Sequence, residues 1–254
     1  MTETRRQKLT EQVTEIHAEV KGRYGSPRMH AELVDRGHEC CVNFVAKLMR
    51  EAGIVAKTKR KFRQTTDSNH SHPVAENLLD RQFQAVKPNT SWVADVTYIP
   101  TREGWLYLAV VEDLFSRMVV GWSMAATMTS RLVVDALEMA LSRRLKGSLS
   151  SSLLAHSDRG SQYASEHYQR RLSEERIKCS MSRRGNCWDN AAMESFFASW
   201  KKELVHDEDY ATREQARASI FEYIETFYNR VRRHSTLGYV APAEYERTHN
   251  PTHR

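Results

Sequence analysis

The chain has 254 residues, with 38 Lys+Arg against 32 Asp+Glu and a formal charge of +6, enough for one large domain or two modest ones. Charged residues at 28% and apolar residues at 40% exclude wholesale disorder and collagen-like or mucin-like chains. The longest apolar run, Leu106 to Val111, and the polar stretch Met1 to Thr10 offer neither a membrane helix of roughly 20 residues nor a secretory signal.

A cytoplasmic location follows, and in that reducing compartment Cys40, Cys41, Cys179 and Cys187 are expected to be free thiols. Cys40 and Cys41 are adjacent and no C-x-x-C occurs, so zinc is not expected.

Glu11 to Arg23 predicts a helix, because Val13, Ile16 and Val20 fall three and four apart on one face. Ser26-Pro27 signals the next helix start, followed by the apolar stripe Met29, Leu33 and Val34. Gly37 interrupts the pattern, which Val42, Val45, Leu48 and Met49 resume up to Gly53. Helix, turn and helix outline a helix-turn-helix, although a plain three-helix bundle has the same pattern.

Five cations follow within seven residues: Lys57, Lys59, Arg60, Lys61 and Arg63. The run is either a nucleic-acid arm or a solvated linker that keeps the chain soluble. Residues 1–90 hold 16 basic and 11 acidic side chains, residues 91–210 hold 15 and 16, and residues 211–254 hold 7 and 5. The basic excess therefore lies in the flanks. Residues 1–63 read as a helix-turn-helix-like DNA-binding region with its arm. Residues 64–90, which contain Pro73 and Pro88 and lack periodicity, read as a linker.

From Ser91 the pattern changes. Trp92 to Ile99, Trp105 to Glu112 and Met118 to Met124 are β-prone segments joined by short turns, which predicts an antiparallel meander. Arg131 to Leu145 has Val134, Leu137, Leu141 and Leu145 at helical spacing. Leu153 to Ala155 and Ile177 to Met181 read as short strands, with helices over Glu166 to Arg176 and Ala191 to Leu204. This β-β-β-α-β-α-β-α order fits an α/β fold of the ribonuclease-H-like type, a mixed five-stranded sheet over residues 91–210. Thr212 to Arg232 predicts one more long helix outside that core, within a C-terminal region 211–254.

Asp95 interrupts an apolar strand, Asp158 follows directly on another, and Glu194 lies on a helix ahead of Phe196-Phe197. An unpaired carboxylate in a half-buried strand costs several kcal/mol, by rough estimate, unless a cation or hydrogen bonds compensate it. Taken singly, each fits a turn former or a solvent-facing side chain. Together, carboxylates from two strands and a helix can hold two hard cations about 3.5–4 Å apart for in-line phosphoryl displacement. Their oxygen donors suit Mg²⁺ or Mn²⁺.

Glu194 lies 36 positions after Asp158, and this spacing resembles the D,D,35,E triad of retroviral integrases and related transposases. The surrounding motifs are more specific. Trp92-x-x-Asp95-x-Thr97-Tyr98, Asp113-Leu114-Phe115-Ser116-Arg117, His156-Ser157-Asp158-x-Gly160-x-Gln162-Tyr163 and Asn186-Cys187-x-Asp189-Asn190-Ala191-x-x-Glu194-Ser195-Phe196-Phe197 resemble the core of bacterial insertion-sequence transposases of the IS3 family. Tyr228-Asn229-x-x-Arg232-x-His234-x-x-Leu237-Gly238-Tyr239-x-x-Pro242 matches the tail. The resemblance runs from near Tyr24-Gly25 to Tyr245.

The resemblance implies a DNA transposase that nicks element ends and transfers the freed 3′-hydroxyl without a covalent protein–DNA link. Asp95, Asp158 and Glu194 would be both catalytic and metal-binding, with two Mg²⁺ or Mn²⁺ ions. Double-stranded DNA would be the partner, the protein a homo-oligomer on it and associated with the nucleoid. In this family the active enzyme is often a frameshift fusion, and the absence of a heptad run here suggests the downstream product alone, needing an upstream one.

Further DNA contacts are expected around this site. Ala198 and Lys201 share a helix face with Glu194, so Lys201, with Lys202 beside it, contacts phosphate, or else both are solvated near a helix C-terminus. Arg183 and Arg184 read as a flexible basic loop over the site, or as a solvated one. Asn190 either orients Glu194 or contacts DNA, and His156 is expected to pack rather than ligate. Arg232 and Arg233 form a basic cluster for DNA or subunit contact, unless the tail packs back on the core. Two other classes stay open: a DNA-binding regulator or transposition inhibitor with an inactive core, and a ribonuclease-H-type nuclease without strand transfer.

Overall fold

Three helices open the chain: α1 (Glu3–Glu19), α2 (Ser26–Asp35) and α3 (Val42–Glu51). α1 starts ahead of the expected Glu11 because Leu9 extends the buried stripe of Val13 and Ile16. Pro27 occupies the first turn of α2, where its missing N–H costs no hydrogen bond. Gly37 and Gly53, at φ +80° and +67°, take the left-handed conformation after α2 and α3. The computed structural model describes residues 3–57, 73–144, 153–184 and 186–250, with the backbone alone at Cys187.

A five-stranded sheet follows. β1 (Ser91–Thr101), β2 (Gly104–Asp113) and β3 (Met118–Ala125) form the predicted meander. After α4 (Ser130–Arg144) come β4 (Leu154–Ser157), α5 (Ser161–Ala164), α6 (Glu166–Glu174) and β5 (Lys178–Met181). The order across the sheet is β3-β2-β1-β4-β5, with β4 parallel to β1 and β5 parallel to β4. The expected order of strands and helices is therefore present, and Leu145 of the predicted helix lies outside the described residues.

Side-chain alternation along the strands builds two cores. Trp92, Ala94, Ala109, Val111 and Val120 pack with α4 and α6 on one face. Val93, Ile99, Leu106, Leu108 and Val110 pack on the other with α7 (Ala191–Glu203), α8 (Arg213–Phe221) and the N-terminal helices. The three helices thus share a continuous apolar core with the sheet.

Two expectations need correction. Residues 73–90 are not a detached linker: Leu79 is buried, and the amides of Leu78 and Leu79 donate to Ser180 Oγ at 2.9 and 3.1 Å. The segment crosses the β5 edge, where Met181 N donates to Glu76 O at 3.3 Å. The long C-terminal helix is likewise not one regular helix outside the core. α8 ends at Phe221, and Glu222–Tyr228 winds as a π-helix. The wider winding turns Tyr223, Ile224, Phe227 and Tyr228 into the core together.

The tail then folds back. Asn229 Oδ1 accepts from Val119 N at 2.9 Å and Nδ2 donates to Val119 O at 3.0 Å, satisfying both backbone groups of that residue on edge strand β3. In α9 (Pro242–His249), Glu246 accepts from Ser116 and from Arg144.

Candidate active site

The parallel pairing of β1 with β4 fixes the first two carboxylates. Ala94 is in register with Ser157, so Asp95, within β1, and Asp158, the residue just past β4, each directly follow a paired position of the two parallel strands. Asp95 Oδ1 accepts from Val96 N at 2.7 Å, and Asp158 Oδ1 accepts from Gly160 N at 2.9 Å. α7 brings the third, Glu194, in its first turn.

Burial, and then the neighbouring charge of Asp158, push the Asp95 carboxyl well above its ordinary range. Glu194 adds to the rise, while the Val96 amide and Lys201 oppose it. The three carboxylates and Lys201 therefore share one electrostatic environment. Burial raises Glu194 as well, although the residue is exposed. Among the described residues no three His, Cys, Asp or Glu side chains stand at metal-holding spacing.

The set nonetheless fits a hard divalent cation. Its donors are carboxylate oxygens, and like charges gathered in a buried setting need a counter-charge. Two orphaned oxygens belong to the same surroundings: Asn190 Oδ1 and the Tyr163 hydroxyl are buried without a hydrogen-bond partner. The Tyr163 hydroxyl is pushed far up by burial and then by Asp95 and Asp158.

Residues 4–62 match an HTH-like domain family, residues 85–187 an integrase core domain family and residues 175–242 a second integrase core domain family. The chain is 48% identical over 226 residues to transposase InsF for insertion sequence IS3A of Escherichia coli K12, covering 89% of this chain and 77% of that protein. It is 43% identical over 239 residues to the insertion element IS600 uncharacterized 31 kDa protein of Shigella sonnei, covering 94% and 87%. The chain belongs to the IS3 family of insertion-sequence transposases. Among solved structures, the HTLV-2 integrase catalytic core domain in complex with magnesium (trimeric form) aligns with 64% of this chain and 99% of its own, at 18% identity and a TM-score of 0.45.

In this IS3-family member the remaining predicted residues divide between site and scaffold. Asn190 is buried, and its Nδ2 donates to Ala94 O at 3.3 Å, tying the start of α7 to β1 beside Asp95. Lys201 is also buried, with Nζ 5.2 Å from the Tyr98 ring centroid. Burial pulls its ammonium down to about 8, with Asp95 opposing. Lys201 thus faces the carboxylates from inside the protein, while Lys202 beside it is half-exposed.

Arg183 of the basic loop is held by an acidic partner. Arg183 donates from its backbone N, Nε and Nη2 to Asp189, each at 2.9 Å, and Arg81 Nε joins the same carboxylate at 2.9 Å. Arg184 is exposed. His156 is buried between Ser180 Oγ at 2.8 Å and Ser182 Oγ at 3.3 Å, with burial lowering it to about 4. It packs β4 against β5, as expected.

The Arg232–Arg233 cluster is a correction. Arg232 is buried and bidentate to Glu203. Arg233 pairs with Glu32 at 2.7 Å and Asp35 at 2.6 Å of α2. Both guanidiniums join the tail to other parts of the protein, because their acidic partners are distant in sequence and adjacent in space. Lys57 pairs with Asp207 at 3.2 Å, and Lys59, Arg60, Lys61 and Arg63 lie outside the described residues.

Sequence reasoning missed the outward face of α3. Asn43, Lys47 and Arg50 are exposed there at i, i+4 and i+7. That spacing was the available signal, since the apolar stripe of the same helix occupies the opposite face. Among the described residues, no helix is long and apolar enough to cross a membrane.

Proposed function

We propose that this transposase cleaves DNA at the ends of its insertion element and joins the freed 3′-hydroxyl to a new phosphodiester, using Asp95, Asp158 and Glu194. One observation carries the reading: the β1–β4 register sets Asp95 and Asp158 directly after the paired Ala94 and Ser157, and Asp95 feels the charges of Asp158 and Glu194. In cleavage, water attacks phosphorus and the P–O3′ bond breaks, releasing a 3′-hydroxyl. In transfer, that hydroxyl attacks a target phosphorus, a new P–O bond forms and the target P–O3′ bond breaks.

The three carboxylates would hold two Mg²⁺ or Mn²⁺ ions. When bound, these ions supply Lewis-acid polarisation of the phosphate and stabilise charge on the attacking and leaving oxygens. Asn190 keeps the start of α7 against β1. Lys201 supplies a fixed positive charge beside Asp95.

Residues 1–63 would engage element DNA through the outward face of α3 and the arm from Lys57 to Arg63. Residues 91–210 would perform the chemistry with Arg184 and Lys202 on phosphates, and residues 211–254 would lock the two regions together. Work at element ends and at a target on the chromosome calls for more than one copy on DNA, close association with the nucleoid, and an upstream-frame product for end recognition.

The test is strand transfer with precleaved 3′-hydroxyl element ends and Mg²⁺. Asp95→Asn is expected to abolish joining and leave DNA binding within about twofold of wild type. Unaltered joining by the variant overturns the role of Asp95. Cleavage without joining favours a nuclease, and binding without either reaction by the wild-type chain favours a regulator.

A further inference from the structure

Trp188 is 68% exposed, in a turn whose next two residues are held by hydrogen bonds. Its own amide donates to Asn186 Oδ1 at 3.2 Å. Asp189, the next residue, is fully buried and accepts from Arg183 and Arg81. Asn190, one further on, is buried and bonded to Ala94 O.

Exposure of so large an apolar surface opposes the usual burial of Trp, and by contrast Trp92 and Trp200 are 1% and 0% exposed. The turn immediately precedes α7, the helix that carries Glu194 in its first turn. An exposed aromatic in the turn that leads into the Glu194 helix has the makings of a base-stacking platform.

We propose that Trp188 stacks on an unpaired nucleobase beside the scissile phosphate, holding the DNA end open over the carboxylates. This inference rests on the DNA-cleavage reading above. Stacking uses the π-face that every base presents, so the preference is for unpaired structure and not for one base. The indole contacts the nucleotide and positions it.

The experiment compares binding of the full chain to a blunt duplex and to the same duplex forked by three unpaired nucleotides, followed by fluorescence anisotropy. The wild-type chain is expected to prefer the fork by about 10-fold, the scale of one base–aromatic stack. Trp188→Ala should lose that preference while keeping its affinity for blunt duplex, and Trp188→Phe should restore most of it. Equal fork preference in wild type and Trp188→Ala overturns the proposal. So does loss of blunt-duplex binding in parallel, which marks a general structural role.

A second measurement uses element-end DNA with single abasic substitutions beside the cleavage point. Removing the stacked base should make wild type and Trp188→Ala cleave at the same rate, and a deficit of Trp188→Ala that persists at every abasic position counts against stacking. Both binding arms are independent of catalysis. Should Asp95→Asn retain joining, the carboxylate reading fails while the fork preference still decides the role of Trp188.

Discussion

Arg232 donates two hydrogen bonds to Glu203, each at 2.8 Å, with both side chains almost sealed from water. Arg28 of α2 adds a third at 2.8 Å, and the Tyr223 hydroxyl a fourth at 2.7 Å. Glu203 is the last residue of α7. The helix that carries Glu194 is therefore anchored at its far end to the tail and to the N-terminal helices at once. Burial alone would raise the Glu203 carboxyl, yet Arg232 and Arg28 hold it below its ordinary value.

Breaking one side of such a pair leaves a buried charge without its partner. Arg232→Met is expected to destabilise the fold by about 3–5 kcal/mol, measured by urea unfolding at pH 7. Because the folded carboxyl is depressed, its contribution is present above the unfolded value of about 4.3 and lost as pH falls through the folded one. The gap between wild type and variant should narrow below about pH 4. A gap unchanged from pH 7 to pH 3 contradicts an ionised Glu203.

Asp95 has the opposite sign. Its folded value is raised by burial and by Asp158, so without metal the protonated form is favoured in the folded state. Stability from this group is greatest below the unfolded value of about 3.9 and declines as pH rises towards the folded one. Metal-free wild-type protein should thus gain stability at pH 7.5 on substitution of Asp95 by Asn, by about 1 kcal/mol or more. Added Mg²⁺ should raise the melting temperature of wild type and leave Asp95→Asn nearly unmoved. Equal Mg²⁺ shifts in both proteins argue against Asp95 as a ligand.

The strand order and the place of Asp95 and Asp158 were legible because they follow from alternation and from local strand–loop boundaries. Arg232 and Arg233 were not, since a run of cations looks alike whether it meets water or carboxylates. Their partners lie 29 positions away at Glu203 and 201 positions away at Glu32. The same distance effect hid the packing of residues 73–90, whose anchor, Ser180, is 101 positions from Leu79. The π-helical turn escaped for a different reason: Tyr223, Ile224, Phe227 and Tyr228 satisfy ordinary helical spacing, and only tertiary packing widens the winding.

Gly121 of β3 sets how closely α4 lies on the sheet. A Cβ at this position would stand 2.2 Å from Ala136 O, 2.7 Å from Ala140 N and 2.8 Å from Ala140 Cβ. Two of those atoms are backbone, so relief requires α4 to shift as a unit. Gly121→Ala is expected to cost about 3 kcal/mol, the upper end of overpacking penalties. Thermal unfolding checks it, and a loss under about 0.5 kcal/mol would show that α4 slides freely.

The exposed face of α3 allows its proposed DNA contact to be tested apart from the scaffold. Lys47 and Arg50 point outward, whereas Arg232 and Arg233 are committed to Glu203, Glu32 and Asp35. Paired substitution of Lys47 and Arg50 by Ala should weaken duplex binding while leaving the melting temperature within about 2 °C of wild type, a surface effect. If each cation neutralises one phosphate, the slope of log affinity against log salt should fall by about 2. Arg233→Ala, by contrast, should lower stability and leave that slope unchanged when binding is measured on folded protein. An unaltered salt slope in the Lys47/Arg50 double variant would move the DNA contact off α3, towards the arm that begins at Lys57.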